Sequence, residues 1–389
     1  MPVGDVFAPE WQWQVDAQTG RPVQPLTRVG SNYHLYFYNS SVTADGRWLI
    51  FYSDRTGVNN LFRLDLASGA IVQLTDAAPV RADYWPFTPP ILGVGACLAA
   101  IGNAGPSVYY FEGNTLYGVH LETLQRRLVL TLPPDRRPSI LHADAAGRTL
   151  VFATWDEALF DAYARRAFAG ERFAQHDFLQ ATTSTIVRVS TETGAAEEVL
   201  RREGFWINHV LVHPTQPHLI LFCHEFTSDP DRMWLLNTAT GACAVVPGQA
   251  PDEWYEHEFW SLEGDRICFH GGWNDDPDRA FCGWYHLADE RLERFEHATP
   301  GRGYAHYNLH PGGHGMVTDG EAHPGCVSRV HLREGRQVFE VLCRHDSYEP
   351  EEDQRAHPHP SFSRDGRQVI FTANHGGQSN VYLVNWDTP

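Results

Sequence analysis

The feature that most constrains this chain is a phrase that it repeats. Residues 42–76, VTADGRWLIFYSDRTGVNNLFRLDLASGAIVQLTD, run from an Ala-Asp-Gly turn through an apolar strand, a polar turn and a second strand to a closing turn of the D-x-x-T-G kind. The strands are short, rich in Leu, Ile, Phe and Tyr, and separated by Gly, Asp and Asn, which is hairpin chemistry. Such a unit reads as a four-stranded antiparallel blade. Weaker copies occupy residues 86–133, 141–201, 210–248, 259–298 and 307–344, and a seventh opens at residue 361 with SFSRDGRQVIFTANHGGQSNVYLVNW, one strand short.

The missing strand has a counterpart at the other end of the chain. Residues 13–27, WQVDAQTGRPVQPLT, match the closing half of the first unit, RLDLASGAIVQLT. A propeller closes its ring in this way, leaving only short protected edges. The period of roughly 45 to 70 residues suits propellers better than solenoids. The expectation is therefore all-β: a seven-bladed β-propeller over residues 1–389 as a single domain, closed by an N-terminal strand. One insertion interrupts it, residues 156–179, where aromatic and alanine residues recur at helical spacing.

Composition narrows the function. A chain that is 42% apolar and 20% charged has material for a core and none of the bias of a disordered protein. A formal charge of −18 argues against a nucleic-acid surface, which needs clustered cations. All thirty basic residues are arginine, so a P-loop, a Schiff-base enzyme and a lysine general base are excluded. The stretch MPVGDVFAPEWQWQ lacks a basic segment leading into an apolar run, and no later stretch is long and apolar enough to span a bilayer; the expected location is cytoplasmic, with no membrane partner. Seven cysteines, an odd number with no C-x-x-C pair, are expected to be reduced and mostly buried.

Candidate chemistry begins in DQRAHPHPSF, residues 353–362. In an extended strand alternate residues share a face, so His357 and His359 are expected to point the same way, stiffened by Pro358 and Pro360, with Gln354 able to add an oxygen. His306, in AHYNLHPGG at the start of the preceding blade, is the best further ligand, and His310 competes with it. Three imidazoles with an amide oxygen suit Mn, Fe, Ni or Zn and leave positions open for water or a carboxylate. Among twenty-one histidines, an H-x-H pair packed into a core is the bland alternative. EWYEHEFW offers His257 as a general base, and FCHEFTSDPDRMW offers His224, Glu225 and Arg232, the last as a bidentate carboxylate clamp. A satisfied core histidine and a blade-bridging ion pair are the structural readings of the same strings. Tyr36 within residues 33–38, His224, and His209 close to Trp206 are candidates for substrate contacts.

Taken together, HPHPSFSRDGRQVIFT with Gln354 upstream, HEFW, CHE followed by DRMW, and HLYFY at residues 34–38 resemble the oligogalacturonate lyase family, in order along nearly the whole chain. The resemblance implies a seven-bladed propeller that cleaves short pectin-derived galacturonides with a divalent metal, commonly manganese. It implies metal ligands at His306, Gln354, His357 and His359, a base at His257 and a substrate arginine at Arg232. The implied reaction is β-elimination: the metal neutralises the uronate carboxylate, His257 takes the C5 proton, and a 4,5-unsaturated product leaves. Alternatives are a lyase on another uronate and a non-catalytic propeller that binds proteins; a peptidase would need a hydrolase domain, and no G-x-S-x-G follows the blades.

Overall fold

The computed structural model describes residues 2–81, 91–102, 105–169, 181–225, 231–298, 306–320, 322–347, 355–375 and 377–387. Among them the strands form seven antiparallel meanders in chain order. The first runs Asn32–His34, Trp48–Ser53, Asn60–Asp65 and Ile71–Gln73; the second begins at Val94–Gly102, the third at Arg136–Pro138 and the fourth at Val210–Val212. The fifth begins at Glu253–Trp260 and the sixth at Tyr307–Leu309, and one parallel bridge, Glu296 to Arg336, joins their outer strands. The seventh contains Ser361–Phe362, Gln368–His375 and Gln378–Asn385. This is the blade pattern of an all-β, seven-bladed propeller.

The chain groups into two compact units, residues 1–76 with 252–389, and residues 77–251. The first contains the first, fifth, sixth and seventh sheets, and the second contains the other three. Strands such as Trp48–Ser53 and Val94–Gly102 are buried at every position, which is why they read as continuous apolar runs rather than alternating ones. The outer strand Ala196–Glu203 is largely exposed and correspondingly charged.

The repeated turns have a common chemistry. In the closing turns, Asp16 Oδ1 accepts the N–H groups of Gln18 and Thr19, and Asp65 Oδ1 accepts those of Ala67 and Ser68. Gly20 and Gly69 then take φ of 72° and 74°, a conformation that an L side chain resists.

The strand expected from residues 13–27 is Pro22–Pro25, which pairs antiparallel with Gln378–Asn385, Val23 opposite Val384. Leu26 N–H donates to the Val381 carbonyl (2.8 Å), and Val381 N–H to Thr27 Oγ1 (2.9 Å). An Arg21–Glu340 ion pair and the Arg344 N–H bond to Asp16 Oδ2 (3.0 Å) tie the same segment to the sixth sheet. Val6–Phe7 was not foreseen as a strand; it pairs with Ile71–Gln73 as a fifth strand of the first sheet.

The insertion contains the helix Glu157–Phe168, capped by Asp156 Oδ1 on the Leu159 N–H (2.8 Å); the expected extent beyond residue 169 lies outside the described residues up to residue 180. All seven cysteines are free thiols, six buried and Cys243 half-buried. Among the described residues no helix is long and apolar enough to cross a membrane.

Candidate active site

In the first unit His306, His357 and His359 are buried together, with one ring nitrogen of each within 4.8 Å of the others. Imidazole nitrogens bind a divalent ion of this kind at about 2.0–2.1 Å, so three buried rings gathered this closely are near enough to be drawn onto one cation. Imidazole suits first-row divalent metals, and the donor set therefore fits the group that the sequence implied. The extended alternation expected of residues 357–359 is not what brings the rings together. The strand begins only at Ser361, and His359 has φ of 46°, a left-handed turn rather than an extended residue.

Bonds from distant residues fix the rings and their backbone. Asp319, fully buried, accepts the backbone N–H of His306 at Oδ1 (2.7 Å); its Oδ2 meets His306 Nδ1 (2.8 Å) and accepts the His359 N–H (3.2 Å). His34 Nε2 lies 2.8 Å from the His359 carbonyl and its Nδ1 lies 2.8 Å from Thr372 Oγ1. Burial pulls the His34 pKa down to about 4, against the opposing influence of the His359 carbonyl and Asp319, so the ring is neutral. A neutral ring donating from Nε2 to that carbonyl accepts the Thr372 hydroxyl at Nδ1. Tyr36 sets its ring edge-on to His359, centroids 4.7 Å apart.

His257 stands beside this group, its ring centroid 4.3 Å from that of His306. It occupies an irregularity in the strand Glu253–Trp260, where the register with Arg266–Trp273 shifts between Glu256 and Phe259, and its φ is 52°. A bulge of this kind re-aims a side chain that a regular strand would direct elsewhere. His257 Nδ1 lies 2.8 Å from Nε2 of the buried His270, the two rings stacked at 5.1 Å, and Phe37 approaches edge-on at 5.7 Å.

His310 belongs to a different environment. Its Nε2 lies 3.2 Å from the Gly366 carbonyl, its Nδ1 accepts the Gly312 N–H, and its ring packs with His314, Phe362 and Trp386. Gln354 lies outside the described residues. In the second unit Arg232 pairs with Glu225 through both ends of its fork (3.0 and 3.4 Å), and His209 Nε2 lies 4.0 Å from the same carboxylate. His224 stacks on Phe205, centroids 4.2 Å apart, and packs against Trp234.

Asp319 and His270 were not singled out by sequence reasoning, and His34 was quoted only within a string. MVTDG reads as a strand ending in an Asp-Gly turn, and FHGGW reads as an ordinary strand. A buried carboxylate at a strand end is the sole local signal, and burial is not visible in the residues themselves.

The sequence pattern of one family, described as oligogalacturonate lyase, matches residues 3–388. An oligogalacturonate lyase of Dickeya dadantii is 25% identical over 95% of this chain and 94% of its own, and an oligogalacturonide lyase of Pectobacterium atrosepticum is 26% identical over the same shares. A solved oligogalacturonate lyase in complex with manganese superposes with a TM-score of 0.82 at 24% identity, covering 99% of this chain and 98% of that one. One from Vibrio parahaemolyticus does so with 0.82 at 22% identity, covering 99% of each.

Proposed function

The chain belongs to the oligogalacturonate lyase family and is a polysaccharide lyase, and from that premise we propose that it cleaves short oligogalacturonides by β-elimination in the cytoplasm, with residues 1–389 working as one domain. The observation that carries the reading is the meeting of His306, His357 and His359 within 4.8 Å, with the ring of His257 beside them. A divalent ion, manganese by likeness to the solved relative, would be held by these three imidazoles and Gln354, where it would neutralise the uronate carboxylate and stabilise charge built up as C5 loses its proton.

The chain's own residues supply the rest. A neutral His257 that donates from Nδ1 to His270 keeps its lone pair on Nε2, the nitrogen that takes the C5 proton. Imidazole suits this because its pKa lies near working pH. The C5–H electrons become the C4–C5 double bond, the C4–O bond breaks, and the departing oxygen takes a proton from water. Arg232 engages a substrate carboxylate with the guanidinium that Glu225 orients, and Tyr36, His209 and His224 contact the sugar. Both Arg232 and the cation offset a protein charge of −18 that would otherwise repel an acidic substrate.

Digalacturonate incubated with the protein and Mn²⁺ should yield the ultraviolet absorbance of an unsaturated uronate. No such product from digalacturonate, with product from another uronate dimer, would reassign the substrate; none from any uronate would reject the lyase reading.

A further inference from the structure

A carboxylate removed from water is costly unless its oxygens are satisfied. Asp319 ends the strand Met316–Asp319 with no exposed surface, and its two oxygens meet three groups: the backbone N–H of His306, the Nδ1 of the same ring, and the backbone N–H of His359. These come from two stretches of chain about fifty residues apart, one opening the sixth sheet and one opening the seventh. On the metal reading proposed above, we infer that Asp319 is a positioning residue that sets the tautomer of His306 and ties the His359 backbone to it, so that two nitrogen donors are in place before any cation arrives.

A carboxylate only accepts, so it keeps the His306 proton on Nδ1 and leaves the lone pair on Nε2 for a metal. The same oxygen accepts the N–H of His359, while His34 Nε2 donates to its carbonyl, so the backbone is held on both sides of that residue. A left-handed φ on a non-glycine residue persists only where its surroundings over-determine it, and these two bonds do so at His359.

Asp319→Asn separates this role from packing. With its oxygen still on the His306 N–H, the amide presents NH₂ to Nδ1, which moves the ring proton to Nε2, where it blocks ligation. Titrated with Mn²⁺ by calorimetry, the wild type is expected to bind one ion and Asp319→Asn to bind about 10–100-fold more weakly. Nitrogen NMR of the metal-free wild type, with the His306 signals assigned by their loss in His306→Gln, should show the Nδ1–H tautomer, and this holds whether or not the Asn variant folds. Equal Mn²⁺ affinity in a folded Asp319→Asn protein, or an Nε2–H tautomer at His306, would overturn the inference and leave the lyase reading standing. A wild type that takes up no Mn²⁺ would overturn the inference together with the metal reading on which it rests.

Discussion

His257 and His359 both sit at positive φ, 52° and 46°, where a side chain other than glycine costs about 1–3 kcal/mol. Each is restrained, His257 by a strand irregularity and by His270, His359 by Asp319 and His34. Asparagine tolerates this backbone well, so His257→Asn removes the proposed base while sparing the bulge. Turnover of digalacturonate by that variant is expected to fall at least about 100-fold, the usual contribution of a general base, with Mn²⁺ affinity unchanged within about threefold. Activity near that of the wild type would move the base elsewhere. His270→Phe keeps the stacked shape and loses the hydrogen bond, and should lower kcat more than it raises KM if His270 orients the base. The H-x-H pair was legible because its two histidines alternate with Pro358 and Pro360. Asp319 was not, because its role is defined by groups far along the chain from it.

At the scale of the element, the closing strand shows how much a short segment does. Pro22–Pro25 covers the edge of Gln378–Asn385, and Leu26 just beyond it is fully buried among Leu49, Phe51, Val381 and Leu383. Replacing Leu26 with Ala should lower unfolding stability by about 2–5 kcal/mol, read from the denaturant midpoint at constant slope. A loss under about 1 kcal/mol would mean that the segment is held by its backbone bonds alone. Pattern reasoning found this strand because its D-A-Q-T-G turn repeats the turn chemistry of the first unit. It missed Val6–Phe7, which is two residues long and defined by its partner Ile71–Gln73. The helix Glu157–Phe168 was legible in its spacing and is sealed by a cap that spacing does not show.

Across the whole molecule, burial of neutral histidines makes stability depend on pH. Desolvation lowers His142 to about 3 and His297 to about 4, from an ordinary value of 6.5. Between those values and 6.5 the unfolded chain binds protons that the native protein does not. The stabilisation is therefore full above pH 6.5 and is lost as pH falls through the folded values. His142→Gln should flatten the slope of unfolding free energy between pH 4 and 6 by about 1.4 kcal/mol per pH unit, one proton's worth, whatever it does to stability at pH 7. An unchanged slope would show that His142 is protonated in the native state.

The acidity of the chain bears on catalysis at the same scale, because a protein of charge −18 must concentrate positive charge where an acidic sugar reacts. The most direct measurement is turnover of digalacturonate by protein stripped of metal with a chelator and dialysed, before and after Mn²⁺ is restored. Formation of the unsaturated product should stop on stripping and return with one equivalent of Mn²⁺ in the wild type, and should not return at that concentration in a variant carrying His357→Ala and His359→Ala. Unsaturated product released at an undiminished rate by verified metal-free protein would contradict the account.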